Sequence, residues 1–406
     1  MSDGVQSTFR ELIDAGHLQV GDGYRTKQAE HGRPGFPILR VAEVLDGRID
    51  PKFGDFVSAE HRAAMGSKIS RAGDIVLTTK GTVGRVAMMP SESPEFIYSP
   101  QVCFFRITPA GPLANKYLYY WFKSEQFWSQ ARSLKGQTDM ADYINLADIR
   151  SLRILLPPKS TQQSVVSVLG ALDDKIAIND RACLAHEELA RARFEEMRID
   201  VDDESADQVP VSELIEFNPR TPTIRYEDAV FLEMAAVPTS SARVMDWSRR
   251  EPKSGTRFMN SDTVMARITP CLENGKVAFI DFMNDGEVGV GSTEFIVMRS
   301  RPGVPAHLPY FLARSPRFQG HAIRNMVGSS GRQRVGAAQL AGFPIRRPDR
   351  DRLLEFGDAV SISFSHMKSL GAESRSLTNM RDILLPRLMS GEIRVREAEQ
   401  IVEGAT

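Results

Sequence analysis

Two stretches of this 406-residue chain place their apolar residues at alternating steps of three and four. The first climbs through Val165, Leu169, Leu172, Ile176, Asn179, Cys183, His186, Ala190, Arg193 and Met197. The second climbs through Leu353, Phe356, Val360, Ser363, Met367, Leu370, Ser374, Leu377, Arg381 and Leu384. A spacing of about 3.5 residues is the seam of a coiled coil. Each ladder predicts a helix about 48 Å long at the α-helical rise, and equal lengths are what two mutually packed helices require. Ser160 and Gln163 read as a capping box opening the first helix, and Pro386 is expected to end or kink the second. Asn179 and His186 read as polar, register-setting seam positions.

Outside the ladders the period changes to that of short strands. Ile75-Val76-Leu77, Val86-Ala87-Met88 and Phe104-Phe105-Arg106-Ile107 alternate with glycine turns. One aromatic helix is expected after each strand region, around Tyr117 to Phe122 and again around Tyr310 to Leu312. The pattern also repeats. Ser99 to Arg106 is echoed by Ser292 to Arg299, 193 residues later, and Gly73-Asp74-Ile75-Val76-Leu77 by Ser261-Asp262-Thr263-Val264-Met265. Tyr119 and Phe127 recur as Tyr310 and Phe318. A period this long means duplicated domains rather than a solenoid. The expected fold class is mixed α/β (α+β): two repeated domains, a pair of long antiparallel coiled-coil helices and a pseudo-two-fold axis. The expected boundaries are 1–158 for the first domain, 159–204 for the first helix and linker, and 205–348 for the second domain. The second helix would cover 349–396 and a tail 397–406.

Composition changes this picture in one respect. The net charge of −1 conceals a partition. Segments 1–158 and 205–348 carry +2 and +4, whereas 159–204 and 349–406 carry −5 and −2. Residues 295–348 hold nine arginines and no acid. Inside this run lies Gly328-Ser329-Ser330-Gly331-Arg332-Gln333-Arg334. Arginine reads guanine bidentately and glutamine reads adenine, while hydroxyls and backbone amides hold phosphates. The matching slot of the first repeat is Lys135-Gly136-Gln137-Thr138-Asp139. Candidate DNA contacts are therefore Lys135, Gln137, Thr138, Arg324, Ser330, Arg332, Gln333 and Arg334, together with Arg267 and Lys276. Lys80-Gly81-Thr82-Val83-Gly84-Arg85 lacks phosphate-loop spacing; it reads as a hairpin turn presenting Lys80, Thr82 and Arg85. Asn218-Pro219-Arg220 lacks the second proline and the aromatic of an amino-methyltransferase tetrapeptide. No hydrolase, zinc-protease or nuclease-like signature occurs. Cys103, Cys183 and Cys271 are scattered without metal-ligand spacing and fit a reducing cytoplasm. No apolar run approaches the ~18 residues of a membrane span, and Met1 to Gln6 lacks the features of a signal peptide.

Several phrases carry a resemblance: Gly35-Phe36-Pro37-Ile38-Leu39-Arg40-Val41, Gly73-Asp74-Ile75-Val76-Leu77, Leu155-Leu156-Pro157-Pro158 leading into Gln162-Gln163, and Leu169-Gly170-Ala171-Leu172-Asp173-Asp174-Lys175-Ile176. The run Leu384-Leu385-Pro386-Arg387-Leu388-Met389-Ser390-Gly391-Glu392-Ile393 is especially typical. With the order domain, long helix, domain, long helix, the chain resembles the DNA specificity subunits of type I restriction–modification systems. The resemblance implies a non-catalytic cytoplasmic subunit whose two target-recognition domains read the halves of a bipartite double-stranded DNA site. Its paired helices would fix their separation, with Leu169, Leu172, Ile176, Phe356, Val360, Met367, Leu370, Leu377 and Leu384 in the seam. It implies two methyltransferase subunits and translocase–endonuclease subunits as partners. S-adenosylmethionine and ATP with magnesium would sit on those partners, and no cofactor or metal on this chain. The competing reading is a coiled-coil adaptor that binds protein and has no DNA specificity.

Overall fold

The computed structural model describes residues 4–50, 52–134, 143–201, 207–223, 228–252, 254–329 and 331–403. Lys135, Gln137, Thr138 and Ser330 lie outside the described residues. The chain divides into two compact units: Met1–Asp174 with Leu377–Thr406, and Lys175–Ser376.

In the first unit, strands β1 (Leu18–Gly21), β2 (Ile75–Thr78), β3 (Val86–Met88) and β4 (Val102–Ile107) form an antiparallel sheet in the order β1-β4-β2-β3. Every residue of β2 is buried, so this strand reads as a continuous apolar run rather than an alternating one. A smaller sheet sets Gly35–Leu39 between Phe56–Ser58 and Ile97–Tyr98, antiparallel to the former and parallel to the latter. Two helices follow, α1 (Asn115–Lys123) and α2 (Glu125–Leu134). One was expected. Ser124 separates them, its hydroxyl donating to the Trp121 carbonyl at 2.7 Å. Trp121, Phe122 and Phe127 pack with Phe9 and Phe105 to fill the core.

The long helix α3 (Lys159–Glu196) starts in this unit. It begins at Lys159, so Ser160 lies inside the helix and the expected capping box does not form. The neighbouring Gln162 is fully buried instead. Its amide accepts from the Ala114 amide at 2.8 Å and donates to the Pro112 and Pro157 carbonyls at 2.9 Å.

The second unit repeats the first. Strands β5 (Ile215–Phe217), β6 (Thr263–Ala266), β7 (Val277–Phe279) and β8 (Phe295–Ser300) form an antiparallel sheet in the order β5-β8-β6-β7, the same topology. Its companion sheet again holds one antiparallel and one parallel pairing around Ala229–Leu232, with one further strand, Thr256–Met259. Helices α4 (Leu308–Arg314) and α5 (Pro316–Arg324) again break at a serine, Ser315, whose hydroxyl accepts from the Phe318 amide.

The two separate sequence echoes turn out to be halves of one device. Asp74, 1% exposed, accepts from Arg106 Nε and Nη2 at 2.8 and 2.6 Å. Asp262, fully buried, accepts from Arg299 Nε and Nη2 at 2.6 and 2.7 Å. Each aspartate also caps its own turn, accepting from the Arg71 or the Met259 amide. The residue just before it has a positive φ in both copies, Gly73 at 79° and Ser261 at 73°.

The second long helix, α6 (Arg350–Ser390), pairs antiparallel with α3 inside each unit. In the first unit Arg381 donates to Asp173 at 2.9 Å. In the second, Asn179 donates to Glu373 at 2.8 Å, the rings of His186 and His366 lie 5.3 Å apart, and Phe194 meets Phe356. The seam residues Leu169, Leu172, Phe356, Val360, Met367, Leu377 and Leu384 are buried, and Ile176 and Leu370 half-buried. One ladder position differs: Arg193 is exposed and Phe194 is buried in its place. Pro386 does not stop α6, which runs four residues past it. One lost amide and a ring clash cost about 3 kcal/mol. Burying Leu384, Leu385, Leu388 and Met389 recovers more, at about 1.5–3 kcal/mol for each side chain. The helix ends at Ser390 rather than 396, and α7 (Val395–Glu403) occupies most of the expected tail. Among the described residues, no helix is long and apolar enough to cross a membrane.

Candidate nucleic-acid interface

Each unit lifts a turn from the end of its central strand. In the first, residues 79–85 connect β2 to β3 as the expected hairpin. Lys80 and Thr82 are exposed. Gly84 has φ 98°, and a Cβ there would meet the Trp128 ring at 2.0 Å. The turn is thus pinned to α2, with Lys80 exposed at its start.

Arg85 and Lys276 occupy equivalent places and serve the fold. Arg85 Nη1 donates to the Val41 and Val44 carbonyls at 3.4 and 3.3 Å. Lys276 Nζ donates to the Met234 and Ala235 carbonyls at 2.6 and 3.2 Å. Each ties the main sheet to the segment after the companion strand. Asn218 is likewise structural: its side chain accepts from the Val297 amide at 3.0 Å.

The glycine-rich segment of the second unit is a tied turn rather than a free loop. Val327 and Arg334 exchange both backbone hydrogen bonds at 2.9 Å, and the glycines at 328 and 331 have φ of 133° and 78°. Its return limb crosses the end of β6, where the Thr269 amide donates to the Gln333 carbonyl and the Val335 amide to the Arg267 carbonyl. The first unit makes the same crossing, Lys80 bridging Tyr143 where Ile268 bridges Arg334, and the Ile144 amide donating to the Thr79 carbonyl.

At this crossing stands a residue that the arginine pattern overlooked. Glu294 lies one position before the acid-free run, and Arg334 grips it from Nε at 2.9 Å and from Nη2 at 2.6 Å. Arg267 Nε approaches the same carboxylate at 3.7 Å. Hydrogen bonds from Arg334, then the nearby charges, hold the Glu294 carboxyl below the usual carboxylate range.

With Arg334, four of the nine arginines in the run are neutralised by a carboxylate. Arg299 pairs with Asp262, Arg317 with Asp200, and Arg347 with Asp207 and Glu213. Arg301 and Arg314 donate to the carbonyls of Ser212 and Thr239. Arg324, Arg332 and Arg346 are exposed with no side-chain partner among the described residues. Gln333, half-buried, flanks Arg332 at the turn. Of the described cations that the charge pattern singled out, those left for an anion are Lys80 in one unit and Arg324, Arg332 and Arg346 in the other. Among the described residues no group of three or more His, Cys, Asp or Glu could hold a metal.

One α/β unit built twice, each copy holding part of the same two helices, defines a duplicated scaffold. Residues 8–183 match the family model of the type I restriction modification DNA specificity domain. The Type I restriction enzyme EcoAI specificity subunit of Escherichia coli is 30% identical over 181 residues, 42% of this chain and 29% of that protein. The EcoEI specificity subunit of the same organism is 26% identical over 204 residues, 48% of this chain and 34% of that protein. The match thus spans about a third of the length of these relatives. In fold, the chain is similar to the type-I restriction-modification system S subunit from M. genitalium. The TM-score is 0.56 at 12% identity, over 95% of this chain and 96% of that one.

Proposed function

We propose that this chain is the non-catalytic DNA specificity subunit of a type I restriction–modification complex. Each unit would read one half of a bipartite duplex target, and the helix pair would set the gap between the halves. The observation that carries the reading is the duplication: the same sheet, the same buried Asp–Arg pair and the same strand crossing occur in both units, and each unit contributes part of both long helices. A scaffold repeated within one chain suits a target with two halves, as the approximate dyad of duplex DNA offers. The acidic balance of 159–204 and 349–406 suits protein partners better than phosphate. Two methyltransferase subunits holding S-adenosylmethionine, and translocase–endonuclease subunits using ATP and magnesium, are the partners this reading requires, in the cytoplasm.

The test is co-expression with the neighbouring methyltransferase subunit and long-read mapping of methylated adenines. The expected result is a bipartite motif with a fixed gap, lost when this chain is deleted. Four residues inserted into α3 should change the gap. An unchanged motif after insertion refutes the ruler, and methylation independent of this chain refutes the reading.

A further inference from the structure

We propose that Glu294 is a specificity-positioning residue: its carboxylate holds Arg334 and Arg267 as an oriented pair and stops them from acting as indiscriminate phosphate clamps. The inference rests on the DNA-reading role proposed above and assigns a part within it to an acid.

The geometry supports a clamp rather than a chance surface pair. Arg334 meets Glu294 through two nitrogens at 2.6 and 2.9 Å, the planar fork-to-carboxylate arrangement that fixes a guanidinium in orientation as well as place. Arg267, the residue after β6, lies at ion-pair distance from the same carboxylate, 3.7 Å without a hydrogen bond, so one acid draws two arginines from two segments that the crossing brings together. The three side chains keep 24–38% of their surface exposed, and Arg334 Nη1 also donates to the Arg332 carbonyl at 3.3 Å, which fixes the guanidinium at a further point.

The fold does not demand this cluster. At the same crossing in the first unit, the place of Glu294 is taken by Gln101, that of Arg267 by Thr79 and that of Arg334 by Tyr143. The backbone there makes the same bonds, the Thr79 and Ile144 amides donating to the Gln101 and Thr79 carbonyls. The carboxylate is present where the arginines are and absent where they are not. Its presence therefore answers to the arginines rather than to the strand crossing. An unpaired arginine in a DNA groove takes the nearest phosphate, which carries no sequence information. An arginine already saturated on one edge by a carboxylate offers its remaining donors in a fixed direction, as bidentate base reading requires.

The experiment compares the full chain with Glu294→Gln, which keeps shape and removes charge. Binding is measured as a function of salt to a duplex bearing the mapped target and to a scrambled duplex of equal length. Glu294→Gln should bind the scrambled duplex more tightly, with a log–log salt slope steeper by about one to two, the increment for one or two freed arginines. Discrimination between the duplexes should fall about tenfold or more, the equivalent of one bidentate base contact. Adding Arg334→Gln to Glu294→Gln should abolish the gain on scrambled DNA. A merely structural acid would lower thermal stability and leave that slope unchanged, which overturns the clamp. Should Glu294→Gln lose its fold, Glu294→Asp serves in its place: it keeps the charge and should retain the wild-type slope, and a steepened slope in that variant overturns the clamp. A wild-type chain that discriminates, beside a Glu294→Gln chain that behaves identically, overturns the clamp alone. A wild-type chain with no salt-dependent binding to either duplex overturns the DNA-reading role as well.

Discussion

Replacing Asp74 with alanine should unfold the first unit far more readily than its size suggests. The carboxylate is 1% exposed and accepts four hydrogen bonds: two from Arg106, one from the Tyr98 hydroxyl at 2.7 Å and one from the Arg71 amide at 2.9 Å. Removing one partner of a buried ion pair costs about 3–5 kcal/mol. Arg106 keeps its bond to the Ile69 carbonyl at 3.0 Å, which puts the ion-pair loss at the lower end of that range. The stranded Tyr98 hydroxyl, fully buried, adds about 1 kcal/mol as an unsatisfied donor. The expected loss is therefore about 4 kcal/mol, against about 5–15 kcal/mol for the whole stability of a typical domain. Asp262→Ala in the second unit should cost less, about 3 kcal/mol, because Arg299 is 28% exposed against 12% for Arg106. Asp262 also accepts no tyrosine among the hydrogen bonds described. Urea unfolding of the full chain followed by tryptophan fluorescence measures both. With Trp247→Phe as background, Trp121 and Trp128 report on the first unit. A loss below about 1 kcal/mol for Asp74→Ala, or a larger loss for Asp262→Ala, refutes the reasoning.

Gly84→Ala combines a positive φ with a 2.0 Å collision against Trp128; it should cost about 1–3 kcal/mol, read as a lower midpoint in the same titration. His307, 8% exposed and packed on Phe279 and Phe364, has its pKa pushed down to about 4 by burial. The native state thus refuses a proton that the unfolded state accepts near pH 6.5. Stability is full above that pH and falls as pH drops towards 4, by up to about 3 kcal/mol; a His307→Phe chain that loses the same amount over this window would show the histidine irrelevant. Arg332→Ala should weaken binding to one half-site by about 1–3 kcal/mol if it reads a base. Equal losses on unrelated duplexes would make it a phosphate contact.

The long helices were legible because burial along them repeats every 3.5 residues. Their seam departs from the ladder where a polar residue turns inward. Glu187, 3% exposed, accepts from the Tyr310 hydroxyl and from the Ala242 amide. The buried face therefore runs Cys183, Glu187, Ala190, Phe194, and Arg193 points to water. Nothing in a hydrophobic pattern announces a buried glutamate. The duplication was legible as two sets of echoes, but not that the aspartate of one set grips the arginine of the other. The charge pattern misled most. The acids that neutralise the arginine run come from elsewhere in the chain: Asp200 reaches Arg317 across 117 positions and Asp207 reaches Arg347 across 140. A count over any window misses such partners. Arg85 and Lys276 showed as basic residues in turns, whereas the carbonyls that engage them lie on segments about forty positions away.

The division of the chain also orders its synthesis. The second unit is one continuous segment, whereas the first is interrupted and closes only when residues 377–406 arrive. Arg381 then reaches Asp173, and Gln126 donates to the Met389 carbonyl at 2.9 Å. Translation at ~5–20 residues per second leaves a delay of about 10–40 s between the two parts. The second unit can fold within that interval, while the first waits with Leu169 and Leu172 uncovered. The entropic cost of so long a closure grows only logarithmically, about 0.6 kcal/mol for each doubling, so the delay costs little in final stability. What it sets is the period during which a nascent chain exposes half a seam, and a chain released before residue 377 never covers it.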